Sequence, residues 1–181
     1  MSGKSYRVSA DIGGTFTDLV FQDAETGQCS VAKVLSTPAN PALTRRGARV
    51  ALLTTENYRD VYTIQGNDRR EIFSIRWRKP KPLVGLSDTF TVKERINAKG
   101  DIETPLDTRE LDPFIAAVKA NGYQAIAICF LFSFKNGAHE LAAEAYLKQH
   151  LPGIPITLSH RVSPEWREYA RTSTAAMDAY V

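Results

Sequence analysis

The sequence predicts an α/β fold that opens with an antiparallel three-strand meander and continues with α/β crossovers. Three observations predict it. Residues 6–35 hold three short alternating apolar segments separated by turn signals. Residues 108–159 then alternate helical and extended patterns. Within them, Y-Q-A-I-A-I-C-F-L-F-S at 123–133 is apolar almost without a break, as a strand covered on both faces is.

The opening pair of strands is expected over residues 6–11 and 17–23, joined by a turn at Gly13-Gly14. After Glu25-Thr26-Gly27 a third strand is expected over 30–35. S-T-P-A-N-P-A, with Pro38 and Pro41, reads as loop. A-R-V-A-L-L-T-T is a strand-length run ending in hydroxyls at Thr54 and Thr55, and 58–64 reads as a short helix or turn with Arg59 and Asp60 outward. The basic stretch at 65–85 carries Pro80 and Pro82 and is expected to be an extended, solvated connector. A peripheral hairpin is expected over about 86–106, from Thr89 through the N-A-K-G-D turn to Pro105. A helix over 108–120, with Leu111, Phe114, Ile115 and Val118 inward, ends at Asn121-Gly122. A second helix is expected over 138–150 with Leu141, Ala145 and Leu147 apolar, followed by a strand over 156–159. A last helix starts near Ser163-Pro164-Glu165, with Glu165, Arg167, Glu168 and Arg171 on a charged surface. Helical pattern still runs at Val181, so the chain reads as a fragment.

Composition narrows the function. At 181 residues with 43% hydrophobic content, one domain over 1–181 is expected. Lys and Arg number 23 against 20 Asp and Glu, a net charge of +3, so nucleic acid is not the expected partner. Cys29 and Cys129 make no disulfide framework and read as reduced thiols of a cytoplasmic protein. No window approaches the ~20 apolar residues of a membrane span. His139, His150 and His160 lack metal-ligand spacing, and no nucleophile motif such as G-x-S-x-G is present.

The chemistry-bearing stretch is the first turn, R-V-S-A-D-I-G-G-T-F-T-D at 7–18. Gly13 and Gly14 remove the Cβ atoms that would hold an anion away from the backbone, and successive amides there can form a nest for phosphate oxygens. Asp11 at the strand end can hold hydrated Mg²⁺ through oxygen. Thr15 offers a hydroxyl, with Thr17 and Asp18 as further candidates. The same residues also suit a tight hairpin that satisfies only its own turn.

An antiparallel meander with a phosphate-type turn, then α/β crossovers, is the layout of a ribonuclease-H-like half-domain of the actin, Hsp70 and sugar-kinase type. The chain resembles the N-terminal region of the hydantoinase A/5-oxoprolinase family. The resemblance rests on D-I-G-G-T-F-T-D (11–18), K-V-L-S-T-P-A-N-P (33–41), R-R-G-A-R-V-A-L-L-T-T-E-N-Y-R-D-V (45–61), R-K-P-K-P-L-V (78–84), F-L-F-S-F-K-N-G-A-H-E (130–140) and R-E-Y-A-R-T-S-T (167–174). It implies ATP-dependent opening of a cyclic amide such as 5-oxoproline or a hydantoin, with ATP and Mg²⁺ as cofactors. ATP activates the amide oxygen, and catalysis is mainly positioning and charge neutralisation. By motif position the resemblance assigns Asp11 to Mg²⁺ or its water, Gly13 and Gly14 to the phosphates, and a hydroxyl donor role to Thr15. It also places Arg167, Arg171 and Thr172 near an inter-domain cleft.

Two departures stand out. The resemblance leads one to expect a helical connection ending in an H-G-T-T-x-A-T-N-type segment, whereas residues 41–45 run almost directly on. The C-terminal half is also missing. Expected partners are that half or a hydantoinase B-type subunit, in a homo- or hetero-oligomer, with no nucleic acid and no membrane. The isolated chain is expected to be inactive. The alternatives are a noncatalytic, partner-binding module of the same fold, or part of a related ATP-dependent ketone carboxylase. A ribonuclease-H-type nuclease ranks last, because Thr54 and Ser133 stand where further carboxylates are needed.

Overall fold

A computed structural model describes residues 6–12, 16–23, 29–35, 47–65 and 81–181, the first three stretches as backbone. The chain divides into two units, Met1–Leu43 and Thr44–Val181. In the first, β1 (Tyr6–Ile12), β2 (Phe16–Asp23) and β3 (Cys29–Leu35) pair antiparallel in the order β1-β2-β3.

The second unit is α/β. Its strands β4 (Val50–Thr55), β5 (Thr89–Val92), β8 (Ala125–Cys129) and β9 (Ile156–Leu158) form a wholly parallel sheet in the order β5-β4-β8-β9. Every residue of β4 and β8 is buried, which explains their unbroken apolar runs. Alternate side chains feed two cores. Ala51, Leu53, Ile126 and Ile128 join Phe114, Ile115 and Val118 of α2 (Asp112–Asn121) and Ala143 and Leu147 of α3 (Ala138–His150). Val50, Leu52, Ala125, Ala127 and Cys129 join Ala175, Ala176 and Ala179 of α5 (Glu168–Tyr180). The short helices α1 (Val61–Ile64) and α4 (Ser159–Val162) pack against α5.

At the amino ends of β4 and β8 a small cluster pins the strands. The Tyr123 hydroxyl donates to Asp88 Oδ1 at 2.6 Å, and Arg49 Nη2 donates to the same oxygen at 3.2 Å. The Arg49 guanidinium also lies 4.6 Å from the Tyr123 ring centre. Partial burial pushes the Asp88 carboxyl upward, but these hydrogen bonds together hold it below its ordinary value. Burial and the Asp88 bond push the Tyr123 phenol up to about 12.

Several expectations are corrected. Only Arg95–Ile96 (β6) and Ile102–Thr104 (β7) form the antiparallel hairpin expected over 86–106; Thr89–Val92 instead runs parallel to β4 as the sheet edge. Alternation in a strand reads the same whichever neighbour it pairs with. The apolar run at 123–133 is ladder-bonded only over Ala125–Cys129. Beyond it, the Phe130 amide donates to Glu140 and its carbonyl accepts from Arg171, so the chain leaves the sheet. Leu141 and Ala145 are exposed on α3, whose inward face carries His139, Glu140, Ala143, Glu144 and Leu147. The last helix starts at Glu168 rather than near Ser163, and Arg171, expected on its surface, is 0% exposed. The connection at 41–45 and the basic stretch at 66–80 lie outside the described residues.

Candidate functional site

The sequence-selected positions fall at one end of the β1–β2 ladder. Asp11 is the register partner of Asp18, and Ile12 of Thr17. Gly13, Gly14 and Thr15, which link the two strands, lie outside the described residues. The backbone register therefore brings Asp11, Thr17 and Asp18 together at the turn end of the hairpin.

In the Thr44–Val181 unit, geometry marks a second place. From β4 the chain proceeds to β5 on one side, and later to β8 on the other, so the strand order reverses between β4 and β8. Ligands of open α/β sheets bind outside the carboxyl ends of the strands at such a reversal. A crevice opens there, lined by Thr54, Tyr58, Cys129, Leu131, Glu168 and Thr172. The crevice offers about 10 Å³, room for one water. Thr54 and Cys129 are register partners on the α5-facing side of the sheet. The Thr172 hydroxyl donates to Cys129 Sγ at 3.1 Å. Burial pushes the Cys129 thiol up, which keeps it protonated and unreactive.

Two buried carboxylates hold the loop that forms the wall beside this crevice. Glu94 receives a short hydrogen bond from the Thr55 hydroxyl and lies 2.7 Å from His139 Nδ1. The Thr55 oxygen in turn accepts from the Leu131 amide at 2.8 Å. Glu140, at the start of α3, takes the Phe130 amide and the Ser159 hydroxyl on one oxygen, and the His160 amide and Nδ1 on the other, at 2.6–3.1 Å. Because a carboxylate only accepts, both imidazoles present Nδ1–H. With Ser159 donating to Glu140, its oxygen accepts from Ser133 and from Arg171 Nε. The hydroxyls here bond to carboxylates rather than to imidazoles, so neither cluster is a nucleophile–base pair. Both are supports for the loop. Among the described residues, no group of three or more His, Cys, Asp or Glu could hold a metal ion.

Sequence reasoning missed Glu94, Glu140, Ser159 and Arg171 as organising residues. The available signal was H-E at the start of α3, at positions one would otherwise fill with apolar residues. Of the cleft residues implied by the resemblance, Thr172 lines the crevice, Arg171 lies buried behind it, and Arg167 is exposed ahead of α5. Arg167 has a φ of 84°, which a non-glycine residue rarely adopts.

The geometry can be set beside known proteins. An uncharacterised protein of Methanocaldococcus jannaschii is 33% identical over 210 aligned residues, covering 97% of this chain and 31% of that protein. The acetophenone carboxylase gamma subunit of Aromatoleum aromaticum is 29% identical, over 96% of this chain and 31% of the subunit. The crystal structure of the ATP-dependent caprolactamase from Pseudomonas jessenii superposes with a TM-score of 0.70 at 26% identity, over 97% of this chain and 31% of that one. The chain thus spans about a third of the length of these relatives. The model of the hydantoinase/oxoprolinase N-terminal region matches residues 7–43 and 39–151. With that match spanning most of the chain and reaching into both units, the chain belongs to the hydantoinase/oxoprolinase N-terminal-region family.

Proposed function

We propose that this chain is the N-terminal, nucleotide-binding part of an ATP-dependent hydrolase of cyclic amides, built on a ribonuclease-H-like half-domain. The family match across the β1–β2 hairpin carries the reading. The likeness to an ATP-dependent caprolactamase supports a lactam as the substrate class, and the likeness to an acetophenone carboxylase subunit supports a ketone as the second reading. ATP and Mg²⁺ suit the residue types present: Asp11 and Asp18 are register partners at the turn end of β1 and β2, and a hard cation takes oxygen donors. Asp11 would hold Mg²⁺ directly or through water. Gly13 and Gly14 would bring backbone amides to the phosphates, with Thr15, Thr17 and Asp18 completing the turn. Bound ATP supplies the activation that makes an unstrained amide open to water.

The family model matches in two pieces that meet at 39–43, and the archaeal alignment is longer than this chain's 181 residues. Both support a shortened connection near 41–45. Turnover in this reading needs the remaining length of the relatives or a hydantoinase B-type partner. Titration of Mg-ATP into this chain, and into a chain extended to its relatives' length, tests the proposal. The extended protein should hydrolyse ATP in the presence of a cyclic amide, the 181-residue chain should not, and Asp11→Ala should abolish turnover. Full turnover by the Asp11→Ala protein would sink it.

A further inference from the structure

The sequence contains two Asn-Gly pairs, Asn121-Gly122 and Asn136-Gly137, and the fold treats them differently. In such a pair the glycine nitrogen can reach the asparagine side-chain carbonyl, because no Cβ on the glycine stands in the way. At Asn121 the two groups are turned apart and engaged. Its Nδ2 donates back along α2 to the Ala117 carbonyl at 2.8 Å, and the Gly122 N–H donates to the Val118 carbonyl. Arg49 Nη1 also donates to the Asn121 backbone carbonyl at 2.6 Å. At Asn136 the side chain turns forward instead. Its Oδ1 accepts from the Ala138 amide at 3.0 Å, which folds the carboxamide over the intervening Gly137. The Gly137 N–H has no hydrogen-bond partner among the described residues. Asn136 Nδ2 donates to the Gly100 carbonyl at 2.9 Å, tying the turn between β6 and β7 to this loop. Asn136 and Gly137 are both half-buried, so water reaches them. Packing also fixes the glycine: a Cβ at position 137 would lie 2.7 Å from His160 Cδ2 and Nε2.

We propose that Asn136 is a self-modification site, converted through a cyclic imide to aspartate and isoaspartate, and that the conversion releases the β6–β7 hairpin. The Gly137 nitrogen attacks Asn136 Cγ and gives its proton to solvent. The charge that develops on Oδ1 meets the Ala138 N–H, a donor aimed there before the reaction begins. The Cγ–Nδ2 bond then breaks, and Nδ2 leaves as ammonia after taking a proton from water. Water opens the imide at either carbonyl, so nitrogen is exchanged for oxygen without any oxidant or reductant. The product carboxylate has no N–H to give Gly100 and sets its charge against that carbonyl. In the isoaspartyl product the backbone also gains a methylene, beside a Gly137 already tight under the His160 ring.

Timed incubation of the 181-residue chain in mildly alkaline buffer, followed by trypsin and mass spectrometry against a zero-time sample, tests this. Cleavage after Lys119, Lys135 and Lys148 puts the two pairs in separate peptides, 120–135 and 136–148. The mass gain of acid over amide should accumulate in 136–148 about tenfold faster than in 120–135, since Gly122 must first break a hydrogen bond. In urea the two pairs should convert alike, and Asn136→Gln should remove the signal from its peptide. Equal native rates at the two pairs, faster conversion at Asn121, or no conversion at Asn136 would overturn the site. For the hairpin, Asn136→Asp stands in for the aspartyl product. Amides of β6 and β7 should then exchange with deuterium about tenfold faster, one hydrogen bond's worth. Unchanged exchange there would overturn the release. If Asn136→Asp does not fold, the aged wild-type chain takes its place in the exchange experiment.

Discussion

Glu140 is wholly buried and accepts four hydrogen bonds, from the Phe130 and His160 amides, the Ser159 hydroxyl and His160 Nδ1. Gln at this position would aim an NH₂ group at other donors and leave two of them unpaired. Glu140→Gln should destabilise the protein by about 3 kcal/mol in urea denaturation, well above the ~0.5 kcal/mol of an ordinary surface change. Tyr180 is the opposite case, because its buried hydroxyl has no partner among the described residues. Tyr180→Phe should leave stability unchanged or raise it by up to about 1 kcal/mol. The same ring explains Gly47: an added Cβ would lie 2.1 Å from Tyr180 Cζ. Gly47→Ala should therefore cost about 1–3 kcal/mol by overpacking, measured by the same denaturation. None of the three was legible from sequence. A buried carboxylate and a surface one are the same letter, and what distinguishes Glu140 is the company of Phe130, Ser159 and His160.

At the scale of elements, local pattern carried far where the partner is local. Leu111, Phe114, Ile115 and Val118 all face the core, and Gly122 closes α2 in the left-handed conformation with φ 65°. Gly122→Ala should cost about 1 kcal/mol, because a Cβ is strained at that φ. For β4, β5 and β8, the Arg49–Asp88–Tyr123 cluster adds a pH dependence. Asp88 is held below its ordinary value in the folded chain, so its contribution is present above about pH 4 and lost as pH falls further. The stability gap between wild type and Asp88→Asn should be open at pH 6 and shrink below about pH 3. A gap that widens on acidification would refute that role. Periodicity failed for α3 because its inward face is built from His139, Glu140 and Glu144, whose burial depends on partners in other elements.

At the scale of the molecule, both cores of described residues lie within 44–181. A chain beginning at Thr44 should keep one cooperative unfolding transition, and a non-cooperative melt would show that the Met1–Leu43 unit is needed for folding. The hairpin of β1 and β2 could be drawn from the sequence to within a residue, because alternation and paired glycines act over a few positions. By itself the sequence determined those strands, helix α3 with both its ends, helix α2 with its C-terminal end but not its start, which a 3-10 turn at Thr108–Leu111 precedes, and membership of the hydantoinase/oxoprolinase family. Only the tertiary structure decided that Thr89–Val92 lies beside β4, that Arg171 is buried, and that Thr54 shares a crevice with Glu168. Such features rest on contacts between distant positions, as between Thr55 and Leu131, which are 76 residues apart. Apolar periodicity reports which face a residue takes within its own element; which chain arrives against that face is settled only when the sheet is assembled.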